Sequence, residues 1–143
     1  MEKASCGLYP YLFVTNDDPT VYLSLGMTYF GNKKLDMKSV RVETEDNYYD
    51  FTCDEEFIGG YDNDLKAWFD YELFDMDDST SWLNEWLAAK SVTAFFFNDT
   101  ATTEIYTLTK DNLQAIRDVL NVYDTLLGSD VSTARVVLRS LVK

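Results

Sequence analysis

Asp70 and Glu72 stand two residues apart in the run Ala67 to Phe74, and an extended backbone turns both carboxyls to one side, together with Trp68 and Phe74. Paired carboxylates between aromatic rings can hydrolyse a glycosidic bond, one acting as an acid with a raised pKa while the other stays ionised, or can hold a cation. Either chemistry needs the pair to line a cleft. The ordinary alternative for acids on a strand is a solvated face.

The pair belongs to a longer acidic stretch. Glu43 to Asp78 holds 14 carboxylates against a single cation, Lys66, while the rest of the chain carries 11 acids and 11 bases, so the whole formal charge of −13 originates there. The stretch is also aromatic, with Tyr48, Tyr49, Phe51, Phe57, Tyr61, Trp68, Phe69, Tyr71 and Phe74. That content distinguishes it from a disordered acidic tail and predicts that it folds with its charge outward. A calcium loop of the EF-hand kind is excluded by register. Counted from Asp62, the twelfth position is Leu73, and counted from Asp75 it is Trp86, where a glutamate is required.

Other function classes fall away on composition. The chain has 143 residues and no histidine, which removes the commonest general base, metal ligand and partner of a nucleophile. Cys6 and Cys53 form no CxxC pair, and although they allow one disulfide, reduced thiols are the default. Gly59-Gly60 has no following lysine and reads as a turn rather than a phosphate loop. Clustered cations are confined to a minor stripe of Arg135, Arg139 and Lys143, which disfavours direct nucleic-acid or membrane binding. No cofactor and no metal is expected.

Hydrophobic periodicity places the elements that must position these groups. Tyr9 to Val14 is an aromatic-aliphatic run ending in the turn formers Asn16-Asp17-Asp18-Pro19. Val21 to Phe30 alternates, with Val21, Leu23, Leu25, Met27 and Tyr29 on one face. Leu35 to Thr44 and Tyr48 to Cys53 form a hairpin about Glu45-Asp46-Asn47, with Val40, Val42, Tyr49 and Phe51 inward. Asp54 to Asp64 shows no period and reads as a loop, and Ala67 to Phe74 returns as a strand. A helix over residues 79–90 follows, carrying Trp82, Leu83, Trp86 and Leu87, with Asp75 to Asp78 complementing its dipole and Lys90 closing it. Val92 to Phe97 and Thr103 to Leu108 form a second hairpin, with Ile105 and Leu108 inward. Thr109 caps a helix reaching Leu127, its apolar face formed by Leu113, Ile116, Leu120, Tyr123 and Leu127 and its stop by Gly128. The sum is one α+β domain over residues 1–143: an antiparallel sheet or open sandwich of about six strands, one inserted helix, and one or two C-terminal helices. Residues 1–8 are expected to be flexible and 129–143 to form a terminal helix.

Tyr29-Phe30-Gly31, Val40-Arg41-Val42, Tyr48-Tyr49-Asp50-Phe51, Trp68-Phe69-Asp70-Tyr71, and Tyr106-Thr107-Leu108-Thr109 leading into Gln114 to Leu120 and Tyr123 form an order of motifs. That order resembles small β-rich domains of unknown function in predicted surface lipoproteins of Gram-positive gut bacteria. The resemblance spans Val21 to Leu127 and implies an exported accessory or ligand-binding domain, with a signal sequence upstream of Cys6. As written, Met1-Glu2-Lys3 leads into Ala4-Ser5-Cys6-Gly7 without an apolar segment, which reads as cytoplasmic. Asn98 to Leu108 resembles the in-frame translation of a sequencing-library adapter, which implies that this hairpin carries no selected site.

In size and charge the chain is also similar to the small acidic inhibitors of phages and mobile elements, anti-CRISPR proteins among them. The leading expectation is therefore a non-catalytic protein-binding module that mimics nucleic acid and occupies the basic groove of a nuclease or CRISPR effector. Its contact residues would be Asp50, Asp62, Asp64, Trp68, Asp70, Glu72, Asp75, Asp77 and Asp78. On that reading, charge reversal of Asp70 and Glu72 slows association more than it harms folding. The bland alternative is that the charge serves solubility alone.

Overall fold

A computed structural model of the chain describes residues 6–14, 21–53, 58–98 and 103–127. Ten elements follow one another: β1 (Gly7–Val14), β2 (Val21–Gly31), β3 (Ser39–Glu43), β4 (Tyr48–Thr52), β5 (Ile58–Asp62), β6 (Ala67–Asp75), α1 (Thr80–Ala88), β7 (Thr93–Phe97), β8 (Thr103–Thr107) and α2 (Lys110–Leu127). The α+β class stands as read from periodicity. The strand number does not: among the described residues eight strands form two antiparallel four-stranded sheets, in the orders β1-β2-β6-β5 and β4-β3-β7-β8.

Alternation decides which faces meet. Leu23, Leu25, Met27 and Tyr29 of the first sheet, and Val40, Val42, Tyr49, Phe51, Ala94 and Phe96 of the second, turn into one shared core. Tyr29 reaches Phe96 across it with ring centroids 6.1 Å apart, and Phe74 reaches Phe51 at 5.2 Å. The helices close the flanks. Trp82 and Trp86 of α1 pack on Tyr49 and Phe51, while α2 lies along β1 and β2 and buries Ile116, Leu120, Tyr123 and Leu126.

Asn112, on the first turn of α2, secures the outer edge of β1. Its Oδ1 accepts the Leu8 N–H at 3.1 Å and its Nδ2 donates to the Leu8 carbonyl, so a side-chain amide completes a ladder that has no further strand. Thr109 caps the helix as its position predicts, with Oγ1 accepting the Asn112 N–H at 3.1 Å.

Several expectations are corrected. Ile58–Asp62 is a strand, not a loop, because β6 offers it a ladder from Ile58↔Tyr71 to Asp62↔Ala67 that its own glycines do not advertise. The strand read from Leu35 is confined to Ser39–Glu43. Gly7 and Leu8, within the stretch expected to be flexible, sit in β1 and are buried. The first turn of α1 carries no acid and its last turn no base; the Lys90 N–H instead donates to Glu45 Oε1 at 2.9 Å. Ile105 is 64% exposed because β8 is an edge strand whose outward face is uncovered, and Leu127 is exposed one position past the buried Leu126. The terminal segment from Gly128, the turn at 15–20 and the hairpin tip at 99–102 lie outside the described residues. None of the described helices is long and apolar enough to cross a membrane.

Candidate functional site

The carboxylate pair faces inward. The register sets Glu72 beside Met27 and Asp70 beside Tyr29 on the core side of the first sheet, and their exposures are 8% and 4%. The alternation of β6 was legible, but its sense is opposite to a solvated face, and the reason is competition between two apolar sets. Phe69, Tyr71 and Leu73 go to the outer face, where other aromatics receive them, while Trp68 and Phe74 carry the acids inward. Charge reversal of either acid would bury a cation in the core, which argues against the expectation that it slows association more than it harms folding.

Asp70 ends at a concavity of about 200 Å³ between β5–β6 and the connection from β2 to β3, lined by Lys34, Leu35 and Asp36 of the connection, Gly59 and Gly60 of β5, and Trp68, Phe69 and Asp70 of β6. Its Oδ2 accepts the Met37 N–H at 3.4 Å, a long bond. Asp36 adopts φ 54°, a left-handed conformation that aspartate tolerates, and bends the connection over the cavity. Lys34 Nζ lies 3.7 Å from Asp36 Oδ1 and 5.8 Å from the centroid of the Trp68 ring.

Burial pushes the Asp70 carboxyl above the usual carboxylate range; the Met37 N–H opposes the rise, the Asp36 charge adds to it, and the Asp36 N–H and Lys34 oppose it. Between the unfolded and the raised folded pKa, the native state holds a proton that the unfolded chain has released. The contribution of Asp70 is therefore fully present below the unfolded pKa and is lost as pH rises through the folded one. Asp50 has the opposite sign: Arg41 holds it below the usual range, so its contribution is lost as pH falls through its folded pKa. Asp70→Asn, which keeps an acceptor for Met37, is expected to raise stability at pH 7 and to reduce the gain on acidification. Urea unfolding at pH 7 and pH 4 checks this, and a variant less stable than the parent at pH 7 would refute it.

The remaining predicted contact residues are scattered rather than gathered on one face. Asp50 lies on the outer side of the second sheet, paired with Arg41 through two bonds of 2.7 and 3.0 Å, with the guanidinium over Tyr48 at 4.3 Å. Asp62 Oδ1 closes the β5–β6 turn by accepting the Asp64 and Leu65 N–H groups, and Asp64 is exposed beside it. Trp68 packs edge-on against Tyr61. Asp75 accepts the Ser24 hydroxyl at 3.3 Å. Asp77 is a joint, taking the Leu23 N–H at 2.8 Å and the Tyr123 hydroxyl at 2.9 Å. Burial and that bond push the Tyr123 phenol up to about 12. Asp78 is exposed in the turn before α1. No disulfide joins Cys6 to Cys53, and among the described residues no three Cys, Asp or Glu side chains cluster to hold a metal ion.

A surface of a different kind emerges on the outer side of the first sheet. Tyr9, Tyr11 and Phe13 of β1, Tyr22 of β2, Leu73 of β6 and Ile58 of β5 all face outward and are exposed, Phe13 at 46% and Ile58 at 60%. Gly26 at its centre lets the rings of Tyr11 and Tyr71 lie on the backbone of β2, since a Cβ there would meet both at under 3 Å. Burial raises the Tyr71 phenol, and Tyr11 beside it raises it further. These residues escaped the sequence reading because β1 is apolar on both faces; that absence of a polar side was the available signal. Asp75 and Asp62 lie on the same side, toward opposite ends of the sheet.

No protein-family model, curated protein or solved structure matches this chain.

Proposed function

We propose that the chain is a non-catalytic protein-binding module that docks a basic protein surface, such as the groove of a nucleic-acid enzyme, through the outer face of its first sheet. One observation carries the reading: six exposed large apolar side chains share that face, in a chain of net charge −13, with Asp62 and Asp75 beside them. Soluble proteins leave contiguous apolar surface open where something covers it. Aromatic rings supply anchors, surrounding carboxylates steer a cationic partner, and the charge excludes anionic ones. The sequence expectation joined the acids to aromatic anchors such as Trp68; here binding centres on the outer aromatic face with Asp62 and Asp75, and Glu72 and Asp77 pass to interior roles.

Phe13 and Tyr22 are cross-strand partners at the exposed end of this face, so truncating both should leave the fold intact. Pull-down from bacterial lysate at low and high salt, repeated with Phe13→Ala/Tyr22→Ala, tests the proposal. A basic nucleic-acid enzyme retained at low salt, released at high salt and bound at least tenfold more weakly by the double variant is the expected result. Retention indifferent to both salt and the double variant would overturn it. Binding of an uncharged glycan instead would favour the exported ligand-binding domain that the motif order resembles.

A further inference from the structure

We infer that the cavity between β5–β6 and the β2–β3 connection is a binding pocket for a protonated primary amine on an unbranched chain, the group a lysine of a basic partner presents. The inference deepens the proposed function and rests on it for the identity of the partner, but the pocket is argued from its own geometry. Its wall is the indole of Trp68, and its carboxylates come from Asp36 on the connection and Asp70 on β6. An aromatic face with two acids around a small concavity is the arrangement that stabilises an ammonium by cation–π attraction and charge-assisted hydrogen bonds together.

A cation already stands at the mouth. Lys34 Nζ sits 5.8 Å from the Trp68 centroid and 3.7 Å from Asp36 Oδ1, on a side chain that remains largely exposed. The protein's own ammonium thus marks the position and is free to leave it. Asp70 lies deeper, 4% exposed, with the Met37 N–H at 3.4 Å from Oδ2 and the Asp36 N–H as backbone partners but no cation in contact among the described residues. A longer amine entering past Trp68 would bring Asp70 the counter-charge that Lys34, tethered nearby, supplies only at a distance. Gly59 keeps the space open, since it faces the inner side opposite Asp70 and contributes no side chain.

The chain has three tryptophans, so the indole N–H region of a ¹H–¹⁵N spectrum is simple, and Trp68→Phe assigns its peak. Titration of the intact protein with Nα-acetyl-lysine methylamide should move the Trp68 peak saturably, and the norleucine analogue should not. Lys34→Met, which removes the competing cation, should tighten binding about fivefold, as expected when a self-occupied fraction is released. Asp70→Asn should weaken it by at least about tenfold. Gly59→Val, at a position whose φ is not positive, fills the pocket without straining the backbone and should abolish the shift. No saturable shift in either the parent or Lys34→Met, weaker binding in Lys34→Met, or an undiminished shift in Gly59→Val would each overturn the inference. Because the probe is a small amine, its failure leaves the docking face to be judged by the pull-down, and failure of the pull-down leaves the amine titration standing.

Discussion

Trp86→Ala is expected to lower stability by about 3 to 5 kcal/mol, a large share of the roughly 5 to 15 kcal/mol that a domain of this size has. Trp86 is fully buried and sits edge-on to Tyr49 at 5.6 Å and to Phe51 at 6.1 Å, while Phe51 in turn meets Phe74 at 5.2 Å. The cluster therefore links α1, the second sheet through β4 and the first through β6. Removing the indole opens a cavity where three layers share side chains, and neighbours held by two sheets have little freedom to collapse into it. The indole N–H has no hydrogen-bond partner among the described residues, so the effect should come from lost packing rather than a lost polar contact. Trp82→Ala, on the half-exposed side of the same helix, should cost clearly less. Urea unfolding of both variants measures this, and a Trp86→Ala loss below about 1 kcal/mol would show that the cluster does not join the layers.

Asn112→Ala is the second large effect, at about 3 kcal/mol, since it strands both the N–H and the C=O of Leu8 in the interior. Leu8 is fully buried, so neither group gains ready access to water. Asn112→Asp separates the two contributions: it keeps an acceptor for the N–H but presents a carboxylate to the carbonyl. It should be nearly as destabilising, because the Leu8 carbonyl loses its donor and faces a buried negative charge instead. Amide exchange gives the local signature. The Leu8 N–H should be protected in the parent and exchange faster in Asn112→Ala, while the Ile116 and Leu120 amides of α2 keep their protection. Unchanged Leu8 exchange would show that β1 is not held by this amide.

The exposed aromatic face and the acid at the pocket share a physical feature: each runs against stability. Asp70 ionised in the interior lowers stability at neutral pH, and exposed rings over Gly26 invite association. Groups of that kind persist where a ligand or partner compensates them, which links the pH behaviour of Asp70 to the amine it is inferred to bind.

What the sequence determined by itself is the local structure. Period-two runs in β2, β3, β4 and β6, the Thr109 cap, the helical spacing of Trp82, Leu83 and Trp86, and the inward sets Val40/Val42 and Tyr49/Phe51 follow from local patterns of side chains. The negative charge and the absence of histidine likewise follow from composition. Only the tertiary structure decided which way β6 faces, because both of its sides are aromatic and alternation alone has no sign. Partner strands decided that Ile58–Asp62 extends, since an edge strand takes its hydrogen bonds from a neighbour more than from its own residues. The same holds for the candidate sites. A pocket made from Lys34 and Asp36, Gly59, and Trp68 with Asp70 joins the β2–β3 connection to a later hairpin, and the aromatic face joins four strands. No spacing along the chain encodes such a meeting, because sheet order and register are set by how apolar faces pack against one another.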